Sequence, residues 1–300
     1  MTNETNSEEL SARVRTPRVK LNEDVILPED TRIQFDEVLA ALKYHKIIYT
    51  DWGFKEVDPA GRNMIINLYG QPGTGKTFAA EALAGTMVLS YIHIGISELE
   101  SKFVGETAKN ICHAFRLARE EGAILFFDEA DTLLGSRLSS VTQGIDNEIN
   151  AMRSTLLIEL ESHEGIVIFA TNFAKNYDPA FVSRIRYHIE FKLPDIGARK
   201  KLLDKFLVSN IPLHEDRSMI IDNCANAADN LSGRDIRNAI RMALPKAFIR
   251  NRENPVVLME DICVAIEEIK KGKDNVGVRA GLNGSDNEIE TSRKLLGLAK

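Results

Sequence analysis

Gly70-Gln71-Pro72-Gly73-Thr74-Gly75-Lys76-Thr77 is a complete G-x-x-x-x-G-K-[ST] phosphate-binding loop. Its glycines let the backbone curl so that successive N–H groups point inward, where a side chain would collide with a phosphate. Lys76 adds a point charge over the β- and γ-phosphates, and the Thr77 hydroxyl is placed to hold Mg2+. The flanks have the order such a loop requires, strand and then helix. Met64-Ile65-Ile66-Asn67-Leu68-Tyr69 is a β-like apolar run before it, and Phe78, Ala79, Ala82, Leu83 and Met87 recur at helical spacing after it. The pattern predicts a nucleotide triphosphatase; the bland alternative is a glycine-rich turn with no ligand.

Past the helix that follows the loop, residues 91–95 read as a second strand. His93 alternates there with apolar neighbours and reads as a structural residue rather than a ligand. A helix over 106–121 ends at Gly122, and Ala123-Ile124-Leu125-Phe126-Phe127 then reads as a buried parallel strand that ends in Asp128-Glu129. Asp128 is expected to hold Mg2+, directly or through water, and Glu129 to polarise the attacking water; mere capping carboxylates are the alternative. A helix over 146–161 leads to the strand 166–170, which ends in Thr171-Asn172 at the edge where open α/β sheets bind ligands. Asn172 either hydrogen-bonds the lytic water or γ-phosphate, or makes an Asx turn. Arg184 and Arg186 precede a short strand at 187–191.

Beyond Pro194-Asp195 no strand signal is clear, and helices are expected at about 196–208, 215–228, 233–250 and 259–271. The expected architecture is an α/β class P-loop domain with a parallel sheet, followed by a small all-helical lid domain. Its expected divisions are a mobile leader (1–30), the α/β domain with a preceding helix (31–193), the lid (194–272) and a tail (273–300). Within the preceding helical region, Trp52 and Phe54 either wall an adenine pocket or pack the helix onto the core.

Composition narrows the function classes. The 300 residues carry 38 basic and 44 acidic side chains, a net charge of −6, which disfavours a dedicated duplex-DNA binder. Cys112, Cys224 and Cys263 are widely spaced with no C-x-x-C pair, so they read as reduced thiols rather than a disulfide framework or zinc site. No apolar run approaches the ~20 residues that span a bilayer. The expectation is a cytoplasmic protein with no membrane partner.

The P-loop, the Asp128-Glu129 pair, the strand ending in Asn172, the paired arginines and the helical lid, in that order, resemble the AAA+ ATPases over about residues 60–271. Ser97-Glu98-Leu99-Glu100-Ser101-Lys102-Phe103-Val104-Gly105-Glu106-Thr107 and Asp178-Pro179-Ala180-Phe181-Val182-Ser183-Arg184 resemble the protein-remodelling branch of that superfamily. The resemblance implies ATP and Mg2+ as cofactors, with Gly70 to Phe78 and Arg234 binding nucleotide and Thr77 and Asp128 holding metal. It implies a sensor role for Asn172 beside the catalytic Lys76 and Glu129. Arg184 looks like an arginine finger that serves the neighbouring subunit of a homo-oligomer, expected to be a hexamer. Ser183-Arg184-Ile185-Arg186 departs from the common R-P-G-R form, which leaves Arg186 without an assigned role. Leu231-Ser232-Gly233-Arg234 looks like the sensor-2 turn; the classical branch often has no arginine there.

Lys102, Phe103 and Val104 resemble a pore loop that grips an extended client polypeptide, and a second loop near 137–145 could also line the channel. The motif around Arg184 and that around Arg234 further resemble the ATPases that open HORMA-domain proteins, among them those of bacterial anti-phage operons. Two other classes stay on the table. A nucleic-acid-linked AAA+ ATPase sits poorly with the net negative charge, and a non-hydrolysing scaffold would have no need of the whole catalytic set.

Overall fold

The computed structural model describes residues 14–58, 61, 63–96, 106–135, 145–172 and 177–276. Those residues form two compact units. The first holds the chain to Lys201 together with Ser232–Arg234, and the second holds Leu202–Leu231 and the chain from Asp235.

The first unit is built on a six-stranded sheet: β1 (Val14–Arg15), β2 (Met64–Gly70), β3 (Tyr91–Gly95), β4 (Ile124–Asp128), β5 (Ile166–Thr171) and β6 (Tyr187–Phe191). The order across the sheet is β1-β3-β4-β5-β2-β6, and every pair is parallel except β1 with β3. The near-continuous apolar runs are what such a sheet demands, since both faces are covered. All six residues of β5 are buried.

Alternation along the strands sorts the core into two layers. Ile65, Leu125, Phe127, Val167 and Phe169 point to one face, where α4 (Glu106–Glu121) and α6 (Ile145–Ser162) cover them. Ile66, Leu68, Phe126, Ile168 and Ile189 point to the other, under α2 (Glu29–Lys43) and α3 (Lys76–Met87). Phe169 stacks on Phe127 with ring centroids 5.4 Å apart. Each such fully buried aromatic contributes roughly 2–3 kcal/mol by removing its apolar surface from water. The short helices are α1 (Leu21–Asp24), α5 (Asp131–Leu134) and α7 (Pro179–Val182).

Two expectations about the amino-terminal region are corrected. Residues 14–27 are not a coreless leader. Val14 pairs with Ile92, Leu21 and Val25 are buried in the α3 layer, and the N–H groups of Arg18 and Leu21 donate to Glu81 Oε1 and Thr86 Oγ1. The apolar residues here are isolated and make contact one at a time, so they leave no periodic signal. Trp52 does not pack the helix onto the core: it is 76% exposed, and Phe54 is 46% exposed with an edge-on contact to Tyr49. Their segment is tied by Asp58, which accepts from Tyr49 and pairs with Arg186 at 3.8 Å. Arg186 in turn donates its N–H to Ile65 O, at the amino end of β2. That is the sheet edge opposite the phosphate loop.

The second unit is helical, taking in the last five residues of α8 (Ile196–Phe206), α9 (Arg217–Ala227), most of α10 (Gly233–Arg250), and α11 (Met259–Val276) around Leu203, Ile220, Ile236, Ile240 and Ile262. Asp216 caps α9 by accepting from the N–H groups of Ser218 and Met219. Cys224 and Cys263, far apart in sequence, bring their sulfurs to 3.8 Å as free thiols. Burial pushes the Cys224 thiol up, and the adjoining Cys263 adds to it. Among the described residues no helix is long and apolar enough to cross a membrane.

Candidate active site

The phosphate loop leaves β2 at the carboxyl edge of the sheet. Gly70, Gly73 and Gly75 take φ of 143°, 81° and 103°, the left-handed side that a Cβ would oppose, and this is how the loop curls. Gly75 caps α3, so the free N–H groups of the first turn open onto the loop, an arrangement suited to an anion. Thr74 Oγ1 closes the curl by donating to Gln71 O at 2.8 Å. Lys76 is buried, and its three donors are all taken, by Gly70 O at 2.7 Å, Gln71 O at 3.0 Å and Asn172 Oδ1 at 3.0 Å. The ammonium is therefore fixed over the loop. Burial pulls its pKa below the usual lysine range, while Asp128 and Asp131 pull the other way. Phe78, on the first turn of α3, is 41% exposed.

The parallel register sets Gly95, Asp128, Thr171 and Gly70 near one edge, and the acidic residues meet the loop there. Thr77 Oγ1 donates to Asp128 Oδ2 at 2.8 Å, and the Glu129 N–H donates to Oδ1 at 2.9 Å. Burial alone would raise the Asp128 pKa, but His93, Thr77 and the Glu129 N–H together outweigh it and hold the carboxyl below its ordinary value. Glu129 itself is exposed and sits at φ 56°, so the chain turns sharply out of β4 and presents the carboxylate to the edge.

Asn172 reaches the loop through Lys76, and its position is fixed from behind. Its N–H donates to Asp131 Oδ1 at 3.1 Å, and the Ala130 N–H donates to Ala170 O at 2.9 Å. Asp131 thus ties the end of β5 to the turn after β4. Asp131 is not among the residues the sequence pattern singles out; the only signal for it is an acidic residue opening a helix directly behind the carboxylate strand. His93, expected as a structural residue, brings its Nε2 to 3.4 Å from Asp128 Oδ2.

Not every expected site residue gathers here. Arg184 lies just before Arg186, and so at the amino edge of the sheet, away from the loop. Its guanidinium donates to Glu161 and to Ala180 O. Arg234 meets the loop through its backbone, its N–H donating to Gly73 O at 3.2 Å. Lys102, Phe103, Val104 and the loop at 137–144 lie outside the described residues.

The donors suit Mg2+, a hard cation that takes oxygen ligands and shares them with phosphates. Thr77 Oγ1 and the Asp128 carboxylate are such oxygens, already in contact beside a loop shaped for phosphate. They would hold the ion there. Among the described residues there is no cluster of three or more His, Cys, Asp or Glu that would make a separate metal centre.

Residues 66–193 match the family described as ATPase family associated with various cellular activities (AAA). The proteasome-activating nucleotidase of Aeropyrum pernix is 32% identical over 241 residues, 75% of this chain and 56% of that protein. A protein of Methanothermobacter thermautotrophicus described as a 26S proteasome regulatory subunit homolog is 30% identical over 271 residues, 84% of this chain and 71% of that protein. The chain spans about half the length of the proteasome-activating nucleotidases it matches, 56%, 48% and 51% for three of them. The crystal structure of the FIGL-1 AAA domain in complex with ADP has a TM-score of 0.69 over 98% of this chain and 96% of that one, at 20% identity, a likeness of fold alone. The family match falls on the sheet that carries the loop, and the 271-residue likeness covers most of the rest: the chain is an ATPase of the AAA family.

Proposed function

We propose that the protein hydrolyses ATP with Mg2+ as a ring of like subunits, six by the resemblance, and couples hydrolysis to unfolding or remodelling a client polypeptide. The observation that carries the reading is the division of labour across the sheet: Lys76, Thr77, Asp128, Glu129 and Asn172 converge at one edge, and Arg184 stands at the other. An arginine at the edge away from its own loop supports a reading in which it serves another copy's site.

The chain's own residues then take these roles. The loop N–H groups and Lys76 bind the β- and γ-phosphates. Thr77 and Asp128 would hold the metal, which when bound neutralises charge on the phosphate oxygens. Glu129 accepts the proton of the attacking water, and the Asn172 amide orients the γ-phosphate or that water. Asp131 keeps Asn172 in register. Arg234 is assigned to nucleotide binding because its backbone closes on the loop.

The polypeptide client is supported by the relatives' names, which tie them to the proteasome, and by the likeness of Lys102-Phe103-Val104 to a client-gripping loop. A narrower client, a HORMA-domain protein of bacterial anti-phage signalling, rests on the sequence around Arg184 and Arg234 alone. A cytoplasmic setting without membrane partners and without nucleic acid agrees with the charge balance.

The test is a substrate trap. Glu129→Gln protein is expected to bind ATP while hydrolysing it ~100-fold or more slowly, the usual range for loss of a general base. Pulled with ATP from native lysate after nuclease treatment, it should retain a polypeptide client, and a HORMA-domain protein there would establish the narrower reading. Unchanged hydrolysis would overturn the assignment of Glu129. Partners held only through DNA, with ATPase stimulated by single strands, would overturn the polypeptide client.

A further inference from the structure

His93 stands opposite Phe126 in the parallel register of β3 and β4, and its ring stacks on that of Phe126 with centroids 4.9 Å apart and planes 23° apart. Asp128 is two positions beyond Phe126, on the same face of the strand. The stack therefore does two things: it fixes the plane of the imidazole, and it turns one ring edge along the strand toward the carboxylate. Nε2 comes to 3.4 Å from Asp128 Oδ2, the oxygen that also accepts from Thr77 Oγ1. Asp128 Oδ1 is taken by the Glu129 N–H.

The geometry has a consequence for a metal. Asp128 is the last residue of β4, with its side chain at the open edge, and a carboxylate there can swing about its terminal torsion, which is broad. The Glu129 N–H restrains one oxygen. The other has Thr77, whose hydroxyl oxygen is itself expected on the cation, and His93. The stack on Phe126 fixes the plane of the imidazole, so its ring edge stays directed at that oxygen.

We propose that His93 is a positioning residue for the metal carboxylate: its Nε2–H, aimed by the stack on Phe126, holds Asp128 Oδ2 so that the carboxylate and Thr77 receive the same divalent cation. Nothing in the expected roles of this chain assigns His93 to nucleotide or metal. The inference rests on the reading of this edge as a Mg2+–nucleotide site. A ligand's hydrogen-bonded partner typically contributes 10- to 100-fold in metal affinity, and the contact here, at 3.4 Å, belongs at the lower end.

The experiment uses the full chain and ADP, so that turnover plays no part. His93→Phe keeps the ring stack and its volume and removes the N–H; His93→Gln restores a donor on a flexible stem. Binding of a fluorescent ADP analogue is titrated with Mg2+ and, in parallel, in the presence of a chelator. For His93→Phe the Mg2+ midpoint is expected to rise about tenfold while metal-free ADP affinity stays within about twofold, and His93→Gln is expected to recover part of the loss. Electron spin echo spectra of Mn2+–ADP on the wild type should show no directly coordinated nitrogen. An unchanged Mg2+ midpoint in His93→Phe, with its thermal midpoint intact, would overturn the proposal. So would a directly bound imidazole nitrogen, which would make His93 a ligand. Wild-type protein that binds no Mg2+–ADP would overturn the site reading as well, which separates the two failures.

Discussion

A few side chains here are held where their own preferences would not put them. Glu129, at φ 56°, occupies a region that costs a non-glycine residue on the order of 1–2 kcal/mol. The cost is met by the N–H it directs at Asp128 Oδ1 and by the anchoring of Ala130 on β5. His163 is a different case. It is 3% exposed, packs edge-on against Phe115, and neither ring nitrogen has a hydrogen-bond partner among the described residues. Burial, with Arg119 adding to it and Glu159 opposing, lowers its pKa from 6.5 to about 4. The unfolded chain therefore takes up this proton near pH 6.5, whereas the folded chain does so only near pH 4. Stability rises as pH climbs through that window and this contribution is flat above it; as pH falls through it, up to roughly 3 kcal/mol is lost. His163→Phe is expected to flatten that slope and to leave neutral-pH stability equal or higher. Urea midpoints measured across the window and above it decide the matter, and a slope that survives the substitution would assign acid sensitivity to other groups.

At the scale of elements, α3 shows how one close approach can reverse a general preference. Gly85 sits inside the helix, where alanine is ordinarily better by about 1 kcal/mol. A Cβ at that position would fall 2.0 Å from Val19 O, the backbone of the amino-terminal segment that lies across the helix. Gly85→Ala should therefore lower the thermal midpoint and open residues 14–27 to protease; a raised midpoint would mean that the segment contributes nothing to stability. The same segment marks the limit of what local pattern carries. The strands β2 to β6 and the long helices were legible because burial on two faces, or on one stripe, imposes a run or a period. Lys76, Thr77, Asp128 and Asn172 were legible because phosphate chemistry dictates both residue type and spacing. β1 was not, because a two-residue strand has no period. The pairs His93–Asp128 and Cys224–Cys263 were not, because each is made by neighbours in space whose separation in sequence carries no signal. Trp52 misled in the opposite direction: an aromatic in a helical region suggests burial, and here it is exposed.

At the scale of the whole molecule, the two ends of β2 are what matter. Gly70 opens the loop at one end, and Ile65 O accepts the Arg186 N–H at the other, five strand positions away, or roughly 16 Å at about 3.3 Å per residue. Arg184, two residues before Arg186 and bonded to Glu161 and Ala180, cannot bring its guanidinium to the Lys76 ammonium of the same chain across that span without leaving both partners. If Arg184 supplies charge to the transferring phosphoryl group, it does so in another copy, and activity becomes a property of the assembly. Arg184→Ala is expected to cost roughly 10³-fold or more in turnover, as loss of such an arginine does elsewhere, while leaving ATP affinity near that of the wild type. Lys76→Ala should be inactive for a separate reason, since it cannot hold the phosphates. Mixing the two inactive proteins discriminates: each Arg184→Ala subunit keeps an intact loop, and a Lys76→Ala neighbour offers it an intact arginine. Activity should reappear in the mixture, peak at an intermediate ratio and fall on dilution as the assembly comes apart. A mixture as inactive as its components would place the function of Arg184 within its own chain, where the bond to Glu161 would make it a structural residue.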